Sequence, residues 1–349
     1  MKQINIAELS NAIKRTDKIF ERNNTIVALD YILLGKDKIT VGDLETFVEV
    51  TVRGIDVVGL IDYKKLKAIL SKWKSGKMTI EKKGKHVTIK KVGVNGKFDF
   101  LVDITEGDYP RVSSGKYTKN GVLVKKDIDT LTRGLKYAGN DELRPVMSGV
   151  FVDKNHIVAT DAHKLMFVKK EGKTKDQFIV PRKPIQFFEA SKYENITVSL
   201  TSDLLKAKFE ANGDVIYTRL IDGKFPNWEA VVPTKNPLKI VFNNAAVSNL
   251  LEQIELGGLA ANPETKQVAI ENSRGKVTLT TEDIDFGTSY EAVLLGKGSG
   301  KALKIGFNGN FLKEIIKDFK DEIVMEASES NRAALFNSET LLMPVMLNE

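Results

Sequence analysis

One short segment of the sequence brings together side chains that could exchange a proton. Asp161 and His163 stand two residues apart, and the chain has only two other histidines, His86 and His156. A carboxylate beside an imidazole is a common acid–base pair. No nucleophile or third member of a catalytic set is evident, however. The simpler hypothesis is that Asp161 caps a turn and His163 lines a groove.

Other motifs that carry chemistry are missing from the sequence. There is no cysteine, no His-Glu-x-x-His metal motif and no Gly-x-Ser-x-Gly or Walker loop. The segment Gly-Lys-Gly-Ser-Gly-Lys at 296–301 resembles a phosphate loop only superficially, because it lacks the final Ser or Thr and the strand–loop–helix context. We predict a mobile loop there, and no catalytic residue, cofactor or metal site anywhere in the chain.

The charge of the chain is unevenly distributed. The formal net charge is +7 over 349 residues. Residues 1–118 carry 22 Lys and Arg against 15 Asp and Glu, residues 119–233 carry 19 against 15, and residues 234–349 carry 12 against 16. This asymmetry suggests that the first two thirds face a polyanion. A solvated lysine-rich surface is the alternative interpretation.

The sequence gives no sign of a membrane or an export signal. No window approaches the ~18 uncharged apolar residues of a membrane span, and the N-terminus lacks the apolar stretch of a signal peptide. We therefore expect a cytoplasmic protein.

The same order of elements recurs three times along the chain. Each third reads as helix, strands, helix, strands, with apolar residues three and four apart in the helices and alternating in the strands. The predicted helical segments are 6–23, 61–73, 125–139, 180–193, 243–258 and 307–319. The pattern predicts an α+β protein of three similar domains, at 1–118, 119–233 and 234–349.

Basic residues cluster on the predicted helices. Lys14 and Lys18 are four residues apart, as are Lys313 and Lys317, so each pair shares a helix face. A basic helix face can lie against phosphates without reading bases. Any one of these lysines could equally be a surface charge, but together they favour non-specific contact with a nucleic-acid backbone.

A set of ordered motifs gives the chain a family resemblance. The segments at 144–167, 178–185 and 219–228 resemble the middle domain of the bacterial sliding clamps, the beta subunits of DNA polymerase III. The segment at 304–316 and the terminal Leu-Leu-Met-Pro-Val-Met at 341–346 resemble the last domain. The resemblance implies a head-to-tail homodimeric ring with helices lining the pore and sheets outside. Such a ring would be a processivity factor for DNA replication that encircles duplex DNA.

The resemblance also implies a hydrophobic pocket that binds short peptides of the replicative polymerase, the clamp loader and other partners. The residues that would form it are Met147, Thr160, Ala162, His163, Lys164, Leu165, Pro226, Val231, Asn308, Phe311, Leu341, Met343 and Pro344. The family usually has Gly-His-Arg where this chain has Ala162-His163-Lys164, and an arginine where Ala230 stands. We therefore expect the pocket base to be kept and its rim to differ.

Two further sets of residues follow from the resemblance. The DNA contacts would be Arg22, Lys64, Arg182 and Lys183. The dimer interface would pair Phe98 and Phe100, on an edge strand of the first domain, with Ile254 and Leu256, at the end of the first helix of the third. Two alternatives stay open from the residues alone: a DNA-binding or scaffold protein that forms no ring, and a hydrolase that uses Asp161 and His163.

Overall fold

The protein folds into two compact units. The computed structural model describes residues 2–22, 25–110, 115–263, 266–319 and 321–347. The first unit comprises Met1–Leu135, Ser148–Ile157 and Lys169–Gly223, and the second comprises Lys136–Met147, Val158–Val168 and Lys224–Glu349. The fold is mixed helix and sheet, as the sequence predicts.

Five of the six helices described in the chain lie inside the segments where the apolar spacing predicts them, and the sixth, Asn244–Ala260, extends two residues beyond its predicted end at 258. The six helices are α1 (Ile6–Thr16), α2 (Tyr63–Lys72), α3 (Lys125–Gly134), α4 (Arg182–Ser191), α5 (Asn244–Ala260) and α6 (Gly309–Asp318). In the first unit α1 packs against α2 and α4, and α3 packs against α4, whereas α5 packs against α6 in the second. Each helix buries one apolar stripe, as Leu312, Ile315 and Ile316 do in α6.

Helix α1 ends earlier than its apolar pattern predicts. The pattern runs to residue 23, but the helix stops at Thr16. The carbonyl of Ile13 accepts hydrogen bonds from the Thr16 hydroxyl at 2.9 Å and from the Tyr63 hydroxyl at 3.0 Å. Two side-chain hydroxyls thus occupy the acceptor that the N–H of Asp17 would use in a longer helix. The Asp17 N–H donates instead to Lys14, one residue short of a helical turn.

The first unit is built on a nine-stranded sheet, a four-stranded sheet and a two-stranded pair. Its first ten strands are β1 (Ile4–Asn5), β2 (Tyr31–Gly35), β3 (Lys38–Gly42), β4 (Thr46–Thr51), β5 (Gly59–Asp62), β6 (Lys77–Lys83), β7 (His86–Lys91), β8 (Phe98–Leu101), β9 (Thr118–Val124) and β10 (Val150–Val152). Its last five strands are β13 (Lys173–Thr174), β14 (Phe178–Val180), β15 (Asn195–Leu200), β16 (Lys206–Ala211) and β17 (Asp214–Arg219). The nine-stranded sheet has the order β13-β9-β15-β16-β17-β4-β3-β2-β5 and the four-stranded sheet the order β1-β6-β7-β8. Strand β10 pairs antiparallel with β14.

The remaining strands belong wholly or mainly to the second unit, and the division between the units falls within β11. They are β11 (His156–Thr160), β12 (Lys164–Lys169), β18 (Leu238–Phe242), β19 (Gln267–Ser273), β20 (Lys276–Asp283), β21 (Thr288–Val293), β22 (Lys297–Gly300), β23 (Leu303–Asn308), β24 (Ile323–Ala327), β25 (Ala334–Phe336) and β26 (Thr340–Leu342). Strands β12-β26-β25-β24-β18-β22 are hydrogen-bonded neighbours in that order, and β21-β20-β19-β23 form a separate sheet.

The prediction of a mobile loop at 296–301 is wrong. Residues Lys297–Gly300 form β22, which pairs antiparallel with β18. The glycines permit close approach of the strand to its neighbours: a Cβ at Gly298 would collide with the Asn272 side chain, and Gly300 has φ +80° against the Pro237 carbonyl. The segment is rich in glycine because the chain passes close to other atoms there.

The nine-stranded sheet of the first unit is continuous across the boundary between the first two predicted repeats. Strand β17 pairs with β4, and the buried hydroxyls of Thr46 and Thr218 lie 2.8 Å apart across this pair. On α1, Arg15 donates to the Asp214 carboxylate of β17 at 2.6 Å. The Tyr193 hydroxyl and the Thr51 N–H donate to the same carboxylate at 2.7 and 2.9 Å. A buried polar network therefore joins these strands to α1.

The Arg15–Asp214 ion pair is expected to stabilise the first unit. The side chains are only 15% and 4% exposed, so Arg15→Met would leave a buried carboxylate without its cation. Because loss of one partner of a buried pair is costly, we expect a loss of about 3 kcal/mol of unfolding free energy. Urea unfolding followed by circular dichroism measures it.

The control is Lys125→Ala, which removes an exposed pair with Asp129. That change should cost ~0.5 kcal/mol or less. Equal urea concentrations at the midpoint of unfolding for Arg15→Met and Lys125→Ala would contradict a stabilising role of the Arg15–Asp214 pair.

Candidate functional site

The segment with Asp161 and His163 forms a tight turn between β11 and β12. One carboxylate oxygen of Asp161 accepts the N–H groups of His163 at 2.9 Å and Lys164 at 2.8 Å, and the Thr160 hydroxyl donates to the Lys164 carbonyl at 2.8 Å. Ala162 has φ +76° at the tip. The hypothesis that Asp161 caps a turn is confirmed. Because this carboxylate holds the main chain, its place here does not favour the acid–base hypothesis.

Strand β26 lies beside the turn and brings the C-terminal segment to it. Leu165 faces Leu341 across the β12–β26 pair, and both are buried. Beyond the pair, the Met343 N–H donates to the His163 carbonyl at 2.8 Å, and the Met343 side chain is 44% exposed. The two leucines are therefore core residues that pack beneath the turn, whereas the Met343 side chain is accessible to a ligand.

Helix α6 supplies the aromatic wall of the site. Asn308 caps the helix, since its side-chain oxygen accepts the N–H groups of Asn310 at 3.0 Å and Phe311 at 3.3 Å. The Phe311 ring stacks on the His163 ring, with 5.6 Å between centroids and 27° between planes. The cap and the turn together fix the two rings against each other.

Lys164 is buried against the Phe311 ring of this pair. Its amine forms an ion pair with Glu314 and lies 5.1 Å from the Phe311 ring centroid and 5.7 Å from that of Tyr137. The Lys164 side chain is only 5% exposed. A cation between two ring faces is stabilised by their quadrupoles, so Lys164 joins β12 to α6 below the site.

These elements line an open cleft of about 520 Å³ within the second unit. Five predicted pocket residues line it: His163, Asn308, Phe311, Met343 and Pro344. The other lining residues are Asn262, Gln267, Glu282, Asp283, Ile284, Asp285, Val345 and Met346. Exposed thioether and aliphatic groups beside a few amides form an adaptable apolar surface with polar anchors.

Sequence reasoning missed the wall formed by the end of β20 and the turn after it. Ile284 and Phe286 are 64% and 76% exposed there. Two large apolar residues in a hairpin turn, where polar residues are usual, are the signal that could have indicated this wall.

The remaining predicted pocket residues belong to the second unit but do not line this cleft. Thr160 is buried in the turn, Met147 and Pro226 are half-buried, and Ala162 and Val231 are exposed. The described residues contain no group of three or more His, Asp or Glu side chains placed to hold a metal ion. No described helix has the length and apolar character needed to cross a membrane.

Two of the predicted DNA contacts are exposed residues of the first unit. Lys64 lies in the first turn of α2. Arg22 is also exposed, and its guanidinium is 3.7 Å from the Asp30 carboxylate. An exposed pair of this length holds the arginine weakly, so both cations are accessible to solvent.

The other two predicted DNA contacts are engaged within the first unit. Arg182 donates to the Leu135 carbonyl at 3.1 Å, and burial lowers the pKa of its guanidinium. Lys183 forms ion pairs with Asp43 and, at 2.8 Å, with Glu21. Burial acts to lower the pKa of Lys183, but these two carboxylates outweigh it and raise the pKa above its usual value. Part of the positive charge of Lys183 is therefore neutralised locally.

The predicted dimer residues lie near two sheet edges. In the first unit Phe98 is 44% exposed and Phe100 half-buried on β8, which pairs only with β7 in the described chain. In the second unit Leu256 is 41% exposed on α5, but Ile254 is 3% exposed and belongs to the core. Leu259, one turn further along α5, is 84% exposed.

Two protein-family models match the chain in succession. Residues 120–227 match the central domain of the DNA polymerase III beta subunit, and residues 229–340 match its C-terminal domain. The chain belongs to the DNA polymerase III beta subunit family. Every cleft-lining residue numbered 340 or lower lies within one of these two matches. All of them except His163 fall in the second match, so the cleft lies mainly in the C-terminal beta-subunit domain.

Curated relatives agree with this family. The chain is 25% identical over 331 residues to a beta sliding clamp of Caulobacter vibrioides, with 88% of each chain covered. It is 22% identical over 263 residues to a beta sliding clamp of Chlamydia muridarum, with 71% of each covered.

Solved beta-subunit structures share the fold over the whole chain. A sliding clamp of Pseudomonas aeruginosa bound to griselimycin superposes with a TM-score of 0.87 at 21% identity, covering 99% of both chains. The beta subunit of Thermotoga maritima gives 0.85 at 18% identity, covering 100% of both. The likeness extends to residues 1–119, where neither family model matches.

Lys164 is expected to hold the aromatic wall of the cleft in place. Lys164→Ala removes a buried stem and a cation between two rings, so we expect a loss of about 2 kcal/mol of unfolding free energy. Lys164→Met, which keeps the stem, should recover much of it because Glu314 is 54% exposed and can be solvated. Thermal unfolding compares the variants. The control is Lys169→Ala, at the exposed end of β12; equal stability of the two alanine variants would contradict this role.

Proposed function

We propose that this chain is a DNA sliding clamp, a processivity factor that closes into a dimeric ring around duplex DNA and holds replication proteins through its cleft. The observation that carries the proposal is the consecutive match to the central and C-terminal beta-subunit domains over 120–340. The whole-length likeness to solved beta subunits supports it. We propose no catalytic role and no cofactor, because a clamp works by tethering. We also propose a cytoplasmic location with the replication machinery.

We propose three clamp domains, at 1–118, 119–233 and 234–349. The six helices fall into three pairs, α1 with α2, α3 with α4 and α5 with α6, one pair in each proposed domain. The members of each pair pack against each other. A head-to-tail dimer of such chains would present twelve helices to a central pore and its sheets to solvent.

Duplex DNA would be held in the pore by sequence-independent contacts. The exposed cations of Lys64 and Arg22 are available to phosphates, whereas Arg182 and Lys183 would contribute a weaker field. Few and weak contacts suit a sliding protein, since retention comes from encirclement and tight phosphate binding would slow movement.

The dimer would form between two sheet edges. Strand β8 in the first unit and β21 in the second each pair on one side only in the described residues. Unpaired edges template strand addition, and both carry exposed apolar neighbours, Phe98 and Leu101 on one and Leu256 and Leu259 beside the other. The basic first domain would meet the acidic third domain across each interface.

The cleft would hold partner peptides of the replicative polymerase, the clamp loader and other clamp-binding proteins. Its exposed Met343, Met346 and Ile284 side chains suit an extended peptide with apolar anchors. A scaffold protein that forms no ring is not favoured, because the relatives that match most of this chain are named beta sliding clamps.

A closed ring predicts that attachment depends on DNA topology. Protein loaded at low salt on nicked circular DNA should remain after a high-salt wash, because salt weakens phosphate contacts but does not open the ring. Cutting the circle with a restriction enzyme should then release it, as gel filtration of the labelled protein would show. Equal retention on circular and linear DNA contradicts encirclement.

The proposed dimer interface predicts a change of mass on substitution. Leu256→Asp with Leu259→Asp places two charges in an apolar contact, so the protein should shift from dimer to monomer in light scattering at micromolar concentration. The control is Leu143→Asp, at an apolar residue that is 91% exposed elsewhere. Leu143→Asp should remain a dimer. If the Leu256→Asp, Leu259→Asp double variant also remains a dimer, this interface is contradicted.

A further inference from the structure

The wall of the cleft that the sequence did not predict is acidic. Glu282, Asp283 and Asp285 line it together with Ile284. No lysine or arginine is among the residues that line the cleft, although the whole chain has a net charge of +7. The ligand surface of the second unit is therefore opposite in charge to the proposed DNA contacts of the first unit.

The β20–β21 turn determines which of these carboxylates a ligand can reach. Asp283 is 3% exposed and accepts the N–H groups of Asp285 at 3.0 Å and Phe286 at 3.3 Å. This buried carboxylate holds the turn in place. Glu282 and Asp285 are exposed on either side of it, and neither forms an ion pair within the described chain.

The two exposed carboxylates border apolar surface. Ile284 stands between them in sequence and is 64% exposed, while Met343 and Met346 are 44% and 77% exposed in the same cleft. Apolar anchors would release water from Ile284 and the methionines. A cation beside those anchors would pair with carboxylates that form no ion pair among the described residues, and a phosphate backbone would be repelled.

We propose that the cleft selects peptides that carry lysine or arginine next to their apolar anchor residues, with Glu282 and Asp285 as the acceptors. This rests on the proposed function, in which the cleft binds linear peptides, and adds the charge of the peptide. The acidic wall sets partner preference, while the apolar surface provides the common part of the affinity.

Two fluorescein-labelled synthetic nonapeptides test the proposal. Both contain the same two leucines and one phenylalanine, and the remaining positions are serine with two lysines in one peptide and two glutamates in the other. Fluorescence anisotropy measures binding to the full chain at low and high salt. Two exposed ion pairs should make the lysine peptide bind about fivefold more tightly at low salt, and the preference should shrink at high salt.

Matched variants assign the preference to the wall. Glu282→Lys with Asp285→Lys should abolish or reverse it. Asp321→Lys with Glu322→Lys makes the same change of net charge at exposed residues outside the cleft lining and should leave it intact. Met343→Asp should weaken both peptides, since it places a charge in the apolar part of the cleft.

The outcomes separate this inference from the function on which it rests. Equal binding of the two peptides that is lost with Met343→Asp overturns the charge preference and leaves the peptide cleft standing. A preference that both double variants abolish equally overturns the assignment to Glu282 and Asp285, because net charge would then explain it. Failure of both peptides to bind overturns the peptide-binding role of the cleft itself.

Discussion

Main-chain hydrogen bonding at strand edges is the constraint on which both units depend. Every edge strand presents N–H and C=O groups that must be paired, covered or left to water. In the first unit, β17 and β4 pair and fuse the strands of two sequence repeats into one sheet. In the second unit, Val345 bridges Gly306 on the free side of β23, which holds the C-terminal segment against the cleft. Among the described residues β8 and β21 each pair on one side only, and the proposed dimer would form at their other edges.

The periodicity of the sequence predicts the elements well because each helix has one buried face. Helix α6 follows its apolar spacing, and its cap, Asn308, stands where a cap is expected. Two errors came from interactions distant in sequence. Helix α1 ends where the Tyr63 hydroxyl donates a hydrogen bond to the Ile13 carbonyl. Strand β22 forms where glycines let the chain pass close to Asn272. Neither effect is encoded in local spacing.

The sequence predicts part of the cleft lining, including the aromatic wall, but not the wall at the end of β20. The turn at Asp161 and the start of α6 lie in the motifs that carry the family resemblance, and that resemblance is what predicts His163 and Phe311 as pocket residues. The wall at Ile284 could not be predicted, because it belongs to a hairpin whose position relative to the cleft depends on tertiary packing. Leu256 and Ile254 show the same limit: they are two residues apart on α5, yet one is exposed and the other is in the core.

The left-handed conformation of Ala162 limits which residues evolution can place at the cleft turn. Glycine adopts φ near +76° without a steric cost, asparagine and aspartate reduce the cost through local hydrogen bonds, and the alanine here bears it. β-Branched residues are effectively excluded, whatever their polarity. Variation at this position among homologues should therefore follow side-chain shape at the Cβ atom, and a change there would alter the turn before it altered any contact with a partner.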